Sequence, residues 1–175
     1  MCLMTKYRQK KVDEKLGGAA SLIMWKAMKV ILSLRKTSSR IQLTGVYNET
    51  HWCKYKKGKN VNKYPEGKLP FFKIDKQGKI IRNITRLRYQ SGFHAFFKKE
   101  DAENLRDWLK VDQLNPIIKV VPITVKREDI IHIGEGQKRS IDRYGRTKDG
   151  EETIPVAVIG KFHLKKKDYE KDISD

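Results

Sequence analysis

The segment His51-Trp-Cys-Lys-Tyr-Lys-Lys-Gly-Lys-Asn-Val-Asn-Lys-Tyr64 gathers the side chains best suited to handling a polyanion. Lys54, Lys56, Lys57, Lys59 and Lys63 are cations of the kind that neutralise phosphates. Trp52, Tyr55 and Tyr64 carry ring faces on which unpaired bases stack. Gly58 admits a close backbone approach. Nothing in the spacing specifies sequence readout, and a lysine-rich surface loop with core-anchoring aromatics is the other reading of the same residues. Arg82, Arg86 and Arg88 share a parity, so a strand there puts three guanidiniums on one face and extends the basic surface.

Catalytic constellations are sparse by comparison. His51 and Cys53 lie two apart, with no Asn or Asp that can be named as their orienting partner. His94, between Phe93 and Ala95-Phe96, reads as a packed histidine, and His132 and His163 fall within predicted strands, where a structural role is expected. No Cys-x-x-Cys or His-x-x-x-His offers zinc a ligand set. Gly134-Glu-Gly-Gln-Lys-Arg-Ser140 lacks the Gly-Lys-Ser/Thr ending and the following helix of a phosphate loop, so it reads as a turn. The expectation is a non-enzymatic protein with no cofactor and no metal. An enzyme using Cys53 or His94 in an unrecognised site is kept as a distant alternative.

Charge points the same way as the aromatic-basic segment. Residues 1–99 hold 24 Lys/Arg against 5 Asp/Glu, whereas residues 100–175 hold 15 against 16. Single-sign charge at that density attracts polyanions and speeds their encounter. Cys2 and Cys53 cannot make a disulfide framework, and reduced thiols are expected. The apolar run beginning at Gly17 is broken by Lys26 and Lys29, so it reads neither as a signal peptide nor as a membrane helix. The expected compartment is the cytoplasm, with no membrane partner.

These residues need elements to hold them. Residues 1–20 read as a basic, flexible arm or short frayed helix closing at Gly17-Gly18. Trp25–Leu34 reads as a strand on its alternation and its Val30-Ile31 pair, although helical spacing through Leu22, Trp25, Met28 and Leu32 competes. A short strand at 41–47 follows, then an irregular basic insertion over residues 47–68. Phe71–Ile74 and Lys79–Asn83 flank the turn Asp75-Lys-Gln-Gly78 as a hairpin. The one clear helix, about residues 99–110, has Glu100-Asp101 in its first turn and an apolar stripe of Ala102, Leu105, Trp108 and Leu109. Ile117–Lys126 reads as a strand which Pro122 makes an edge or a bulge. Ile130–Ile133 reads as a short strand stopped at Gly134, residues 134–152 as a polar loop, and Pro155–Leu164 as a final strand. Residues 166–175 form a charged tail. The sum is α+β: a single domain over residues 21–165 with a small, mostly antiparallel sheet.

Met1-Cys-Leu3, Lys29-Val-Ile-Leu32, Val125 to Gly134 and above all Gly92-Phe-His-Ala-Phe96 with Glu100-Asp-Ala102 resemble a group of small proteins of unassigned activity from phages, prophages and other mobile elements. The resemblance covers residues 25–164 as an order of elements. It implies a compact α+β domain, and the basic insertion departs from the pattern. The expected function is nucleic-acid binding, to RNA or DNA, alone or within a host ribonucleoprotein. By analogy of source and charge, the alternative is an anti-CRISPR-type inhibitor that binds a host defence nuclease or its guide RNA. It would present an acidic–apolar face of Glu100, Asp101 and Trp108 with the 134–152 loop.

Overall fold

The computed structural model describes residues 3–35, 38–45, 55–62, 68–70, 72–74, 80–82, 88–112, 117–141 and 147–170. In chain order, β1 (Leu3–Lys6) and α1 (Gln9–Leu16) precede the long β2 (Ser21–Arg35) and its hairpin partner β3 (Ser38–Gly45). Then come β4 (Gly58–Val61), β5 (Lys68–Pro70), β6 (Phe72–Ile74), β7 (Ile80–Arg82), β8 (Arg88–Gln90) and β9 (Phe93–Phe96). α2 (Lys99–Asp112) leads to β10 (Ile118–Lys126), a 3-10 turn at Arg127–Asp129, β11 (Ile130–Ile141), β12 (Thr147–Ile159), β13 (Lys161–Leu164) and α3 (Lys166–Glu170).

Nine strands form one sheet in the order β1-β11-β12-β9-β2-β10-β13-β4, with β3 on β2, and every described pairing is antiparallel. The α+β expectation holds in outline, with more sheet than the sequence suggested. Two short pairs, β5-β8 and β6-β7, stand apart. Only Gly160 separates β12 from β13, yet β12 pairs with β9 while β13 pairs with β10, and both of those strands pair with β2. The sheet therefore curls until the chain itself closes it at Gly160.

That curl creates two faces with opposite fates, because successive residues of a strand point to opposite sides. The inner face buries Met24, Met28, Val121, Ile123, Val125, Phe93, Ala157, Ile159, Phe162 and Leu164, with Leu16 and the half-buried Tyr7 and Val12 packing from α1 and the residues before it. Lys26 also points inward; its Nζ donates to His94 O at 2.8 Å and lies 5.6 Å from the Tyr55 ring centre. The outer face is covered by α2, whose Ala102, Leu105 and Leu109 pack on Ala27, Phe96, Val156 and Val158.

Several expectations change. Residues 3–16 are no arm: Leu3 is fully buried, β1 pairs with β11, and the Arg127 guanidinium ties α1 down, donating to Asp13 Oδ1 and Gly17 O, each at 2.6 Å. Gly134 does not stop a strand. β11 runs through it, and its missing side chain is the space β1 occupies, since a Cβ there would lie 1.9 Å from Thr5 O. The expected loop over 134–152 is accordingly the β11–β12 hairpin, of which residues 142–146 lie outside the description. β10 is internal, not an edge. Val30 N donates to Ile117 O, so by antiparallel alternation Pro122 faces Trp25 in a non-hydrogen-bonded pair, and its missing donor is not needed by β2. The expected strand over 82–89 divides: Arg82 ends β7 and Arg88 begins β8, in two different sheets, and residues 83–87 lie outside the description. The helix at 99, the strand from Trp25 and the hairpin of Phe72 with Arg82 form as the patterns indicated.

Candidate nucleic-acid interface

The basic segment builds outward from Tyr55. Its ring is buried in a T-shaped cluster, 5.8 Å from Phe93 and 5.4 Å from Phe162, and its N–H donates to Leu43 O at 2.8 Å. Tyr55 is thus a core anchor and offers no face for a base, because its ring is needed to fill the inner core. The next residues turn sharply at Gly58, whose φ of 84° favours glycine. Asn60, also buried, holds this turn from inside: its Oδ1 accepts from the Lys56 N–H at 2.7 Å, and its Nδ2 donates to Lys56 O at 2.8 Å and Gly58 O at 3.1 Å. Lys56, Lys57 and Lys59 are exposed around it. The part of the insertion at residues 55–62 is therefore ordered as an anchor, a turn and β4, and not irregular.

β4 pairs with β13, and that pairing imports residues the linear charge profile hides. Register sets Lys59, His163, Thr124 and Ile23 side by side across β4, β13, β10 and β2. Continuing the antiparallel count, the adjacent row is Val61, Lys161, Lys126 and Ser21, and the row on the other side includes Lys165, Pro122 and Trp25. All of these project from the outer face. Lys59, Val61, Lys161, His163, Lys165, Lys126, Ser21 and Ile23 are exposed, while Thr124, Pro122 and Trp25 are half-buried.

The result, taking three gaps of about 4.8 Å between four strands, is a sheet face about 14 Å across, with Lys59, His163, Lys161 and Ile23 exposed on it and α2 packing against its Trp25 corner. Its β4–β13 side is cationic and continues into the exposed Lys166 and Lys167 of α3. At one end the 3-10 turn supplies counter-charge: Asp129 pairs with Lys161 at 3.2 Å and Glu128 with Lys126 at 3.3 Å. Its β10–β2 side carries Ile23, Pro122 and Trp25 next to Thr124, with Lys126 and Ser21 at one end, and Lys99 Nζ sits 5.8 Å from the Trp25 ring centre.

Of the residues singled out from the sequence, Lys59 falls on this face, and Lys56 and Lys57 are exposed in the turn that leads into β4. Trp52, Lys54, Lys63 and Arg86 lie outside the described residues, and Arg82 and Arg88 belong to the two minor sheets. His163, Lys161, Lys165, Lys166 and Lys167 were missed. The signal was present in Lys161-Phe-His-Leu-Lys165, whose strict alternation puts two lysines and the histidine on one side.

The residues expected to form an acidic–apolar face differ in exposure. Asp101 is 8% exposed, and burial raises its pKa despite the nearby Lys98 and Lys138. Trp108 is half-buried against the α2 side of the core, which leaves Glu100 as the exposed member. His94 is likewise a packed group: burial first, then charges that include Lys26, hold its pKa well below the ordinary imidazole value. Among the described residues, no three His, Cys, Asp or Glu side chains converge as a metal site would require. Nor is any described helix long and apolar enough to cross a membrane. No protein family, curated protein or solved structure matches this chain.

Proposed function

We propose that this protein is a non-enzymatic nucleic-acid-binding protein, acting alone or within a ribonucleoprotein, and that it grips the phosphate backbone with the lysines of the β4–β13 face and α3. The observation that carries this reading is the β4–β13 register. It sets Lys59 beside His163, with Lys161 and Lys165 on the same side of β13, although about 100 residues separate the two strands in the chain. Lysines spread over separate faces make a weak field, whereas exposed lysines on one face form a phosphate track.

The test is salt dependence. Neutralising Lys56, Lys57 and Lys59 to Gln, and separately Lys165, Lys166 and Lys167, removes exposed charges whose loss leaves the core intact. If each lysine meets one phosphate, each triple variant lowers the slope of log K against log salt by roughly 2 to 3, at about 0.7–0.9 per contact. The combined variant loses more than either. Unchanged affinity and slope in the combined variant would remove this face from the function.

A further inference from the structure

The same face carries a second property, and the inference from it rests on the nucleic-acid reading just given: we propose that the ligand is single-stranded, with its phosphates on the β4–β13 side and its bases on Ile23, Pro122 and Trp25. Ile23 is 52% exposed at the centre of the β2 column, with Trp25 next along the same side of the strand and Pro122 paired to Trp25. Together they form an apolar column parallel to the cationic one and two strand spacings away, about 10 Å. A backbone held by Lys59, His163 and Lys165 turns its bases toward that column. Unpaired bases gain from such contact because they expose apolar faces, whereas paired bases are stacked inward and present their edges.

Width excludes the duplex alternative. The major groove of B-DNA is about 12 Å wide and admits an α-helix or a two-stranded ribbon. Four strands spanning about 14 Å between their outer axes do not enter it. Against a duplex this face touches phosphates alone, which leaves the exposed Ile23 uncovered. Charge complementarity and the apolar column are satisfied together by one extended strand.

The experiment measures fluorescence anisotropy with labelled 12-nucleotide poly-dT and poly-rU strands and a blunt hairpin duplex of matched length. Wild-type protein is compared with Ile23→Ser and with Lys56→Gln/Lys57→Gln/Lys59→Gln at several salt concentrations. The single strands bind at least ten-fold tighter than the duplex. Ile23→Ser, a change at an exposed position that leaves the core untouched, weakens single-strand binding three- to ten-fold, keeps the salt slope and leaves duplex binding unchanged. The lysine variant lowers the slope for both forms. Equal or tighter duplex binding, or single-strand affinity indifferent to Ile23→Ser, overturns the inference while a lysine-dependent slope preserves the nucleic-acid reading. Absence of binding to any of the three probes at 50 mM salt overturns both.

Discussion

Asn60 is the residue through which the fold sets the geometry of the basic turn, and truncating it separates charge from preorganisation. Asn60→Ala removes no charge and touches no exposed surface, since the side chain is 6% exposed. It deletes three hydrogen bonds, one accepted from the Lys56 N–H and two donated to Lys56 O and Gly58 O. A protein hydrogen bond contributes about 0.5–1.5 kcal/mol net, so losing three costs about 2–4 kcal/mol, with the upper end reached if the freed backbone groups stay buried. Urea unfolding at neutral pH reads that loss directly. Asn60→Asp is the sharper variant. Its carboxylate still accepts from Lys56 N–H but faces the Lys56 and Gly58 carbonyls with no donor. That repulsion raises the folded pKa of the new carboxyl above its unfolded value. The penalty is therefore full above the folded pKa and shrinks as acid protonates the group. Asn60→Asp becomes more like wild type on acidification, while Asn60→Ala does not. In binding assays Asn60→Ala weakens affinity with the salt slope kept, the reverse of the lysine variants. A stability loss below about 0.5 kcal/mol, too small for even one such bond, would refute this account of the turn.

Gly134→Ala forces β1 away from β11, because the new methyl would lie 1.9 Å from Thr5 O and 2.9 Å from the Thr5 carbonyl carbon, both backbone atoms. Losing the burial of Leu3 and the local ladder costs about 3 kcal/mol, and hydrogen exchange at the Tyr7 amide, bonded to Ile133 O, accelerates; unchanged protection would contradict the crossing. His94 contributes an acid sensitivity of defined sign. Its folded pKa is lowered, first by burial, so the unfolded chain takes up its proton first; stability is full above the ordinary imidazole value of 6.5 and falls as pH drops toward the folded pKa. The slope from this one group reaches about 1.4 kcal/mol per pH unit, and urea midpoints of His94→Asn measured from pH 7 to pH 5 lose it.

What the sequence made legible was local. α2 announces itself because acids in its first turn and a stripe at helical spacing agree, and β2 because Met28, Val30 and Leu32 alternate. The β11–β12 hairpin was hidden by its glycines. Gly134 and Gly136 read as punctuation, whereas Gly134 is there to let another strand cross, a demand that arises only in three dimensions. The N-terminal segment was hidden because its packing residues, Leu3, Tyr7, Val12 and Leu16, are thinly spread among cations. The site was half legible for the same reason. Lysines 56, 57 and 59 stand together in sequence, but their neighbours come from a strand pairing that no local pattern encodes. Dividing the charge at residue 99 even assigned those neighbours to a neutral half.

Closure of the sheet at Gly160 also sets when the face comes into being. β10 follows its neighbour β2 some 90 residues later, and β4 waits for β13, about 100 residues downstream. Such distant pairings are slow to close, because loop entropy opposes them until the partner strand arrives. A nascent chain that has not yet delivered Lys161–Leu164 past the ribosome has Lys59 of β4 but no strand to pair it with. Lys59 therefore comes to lie beside His163 only once β13 has been made and has folded back onto β4.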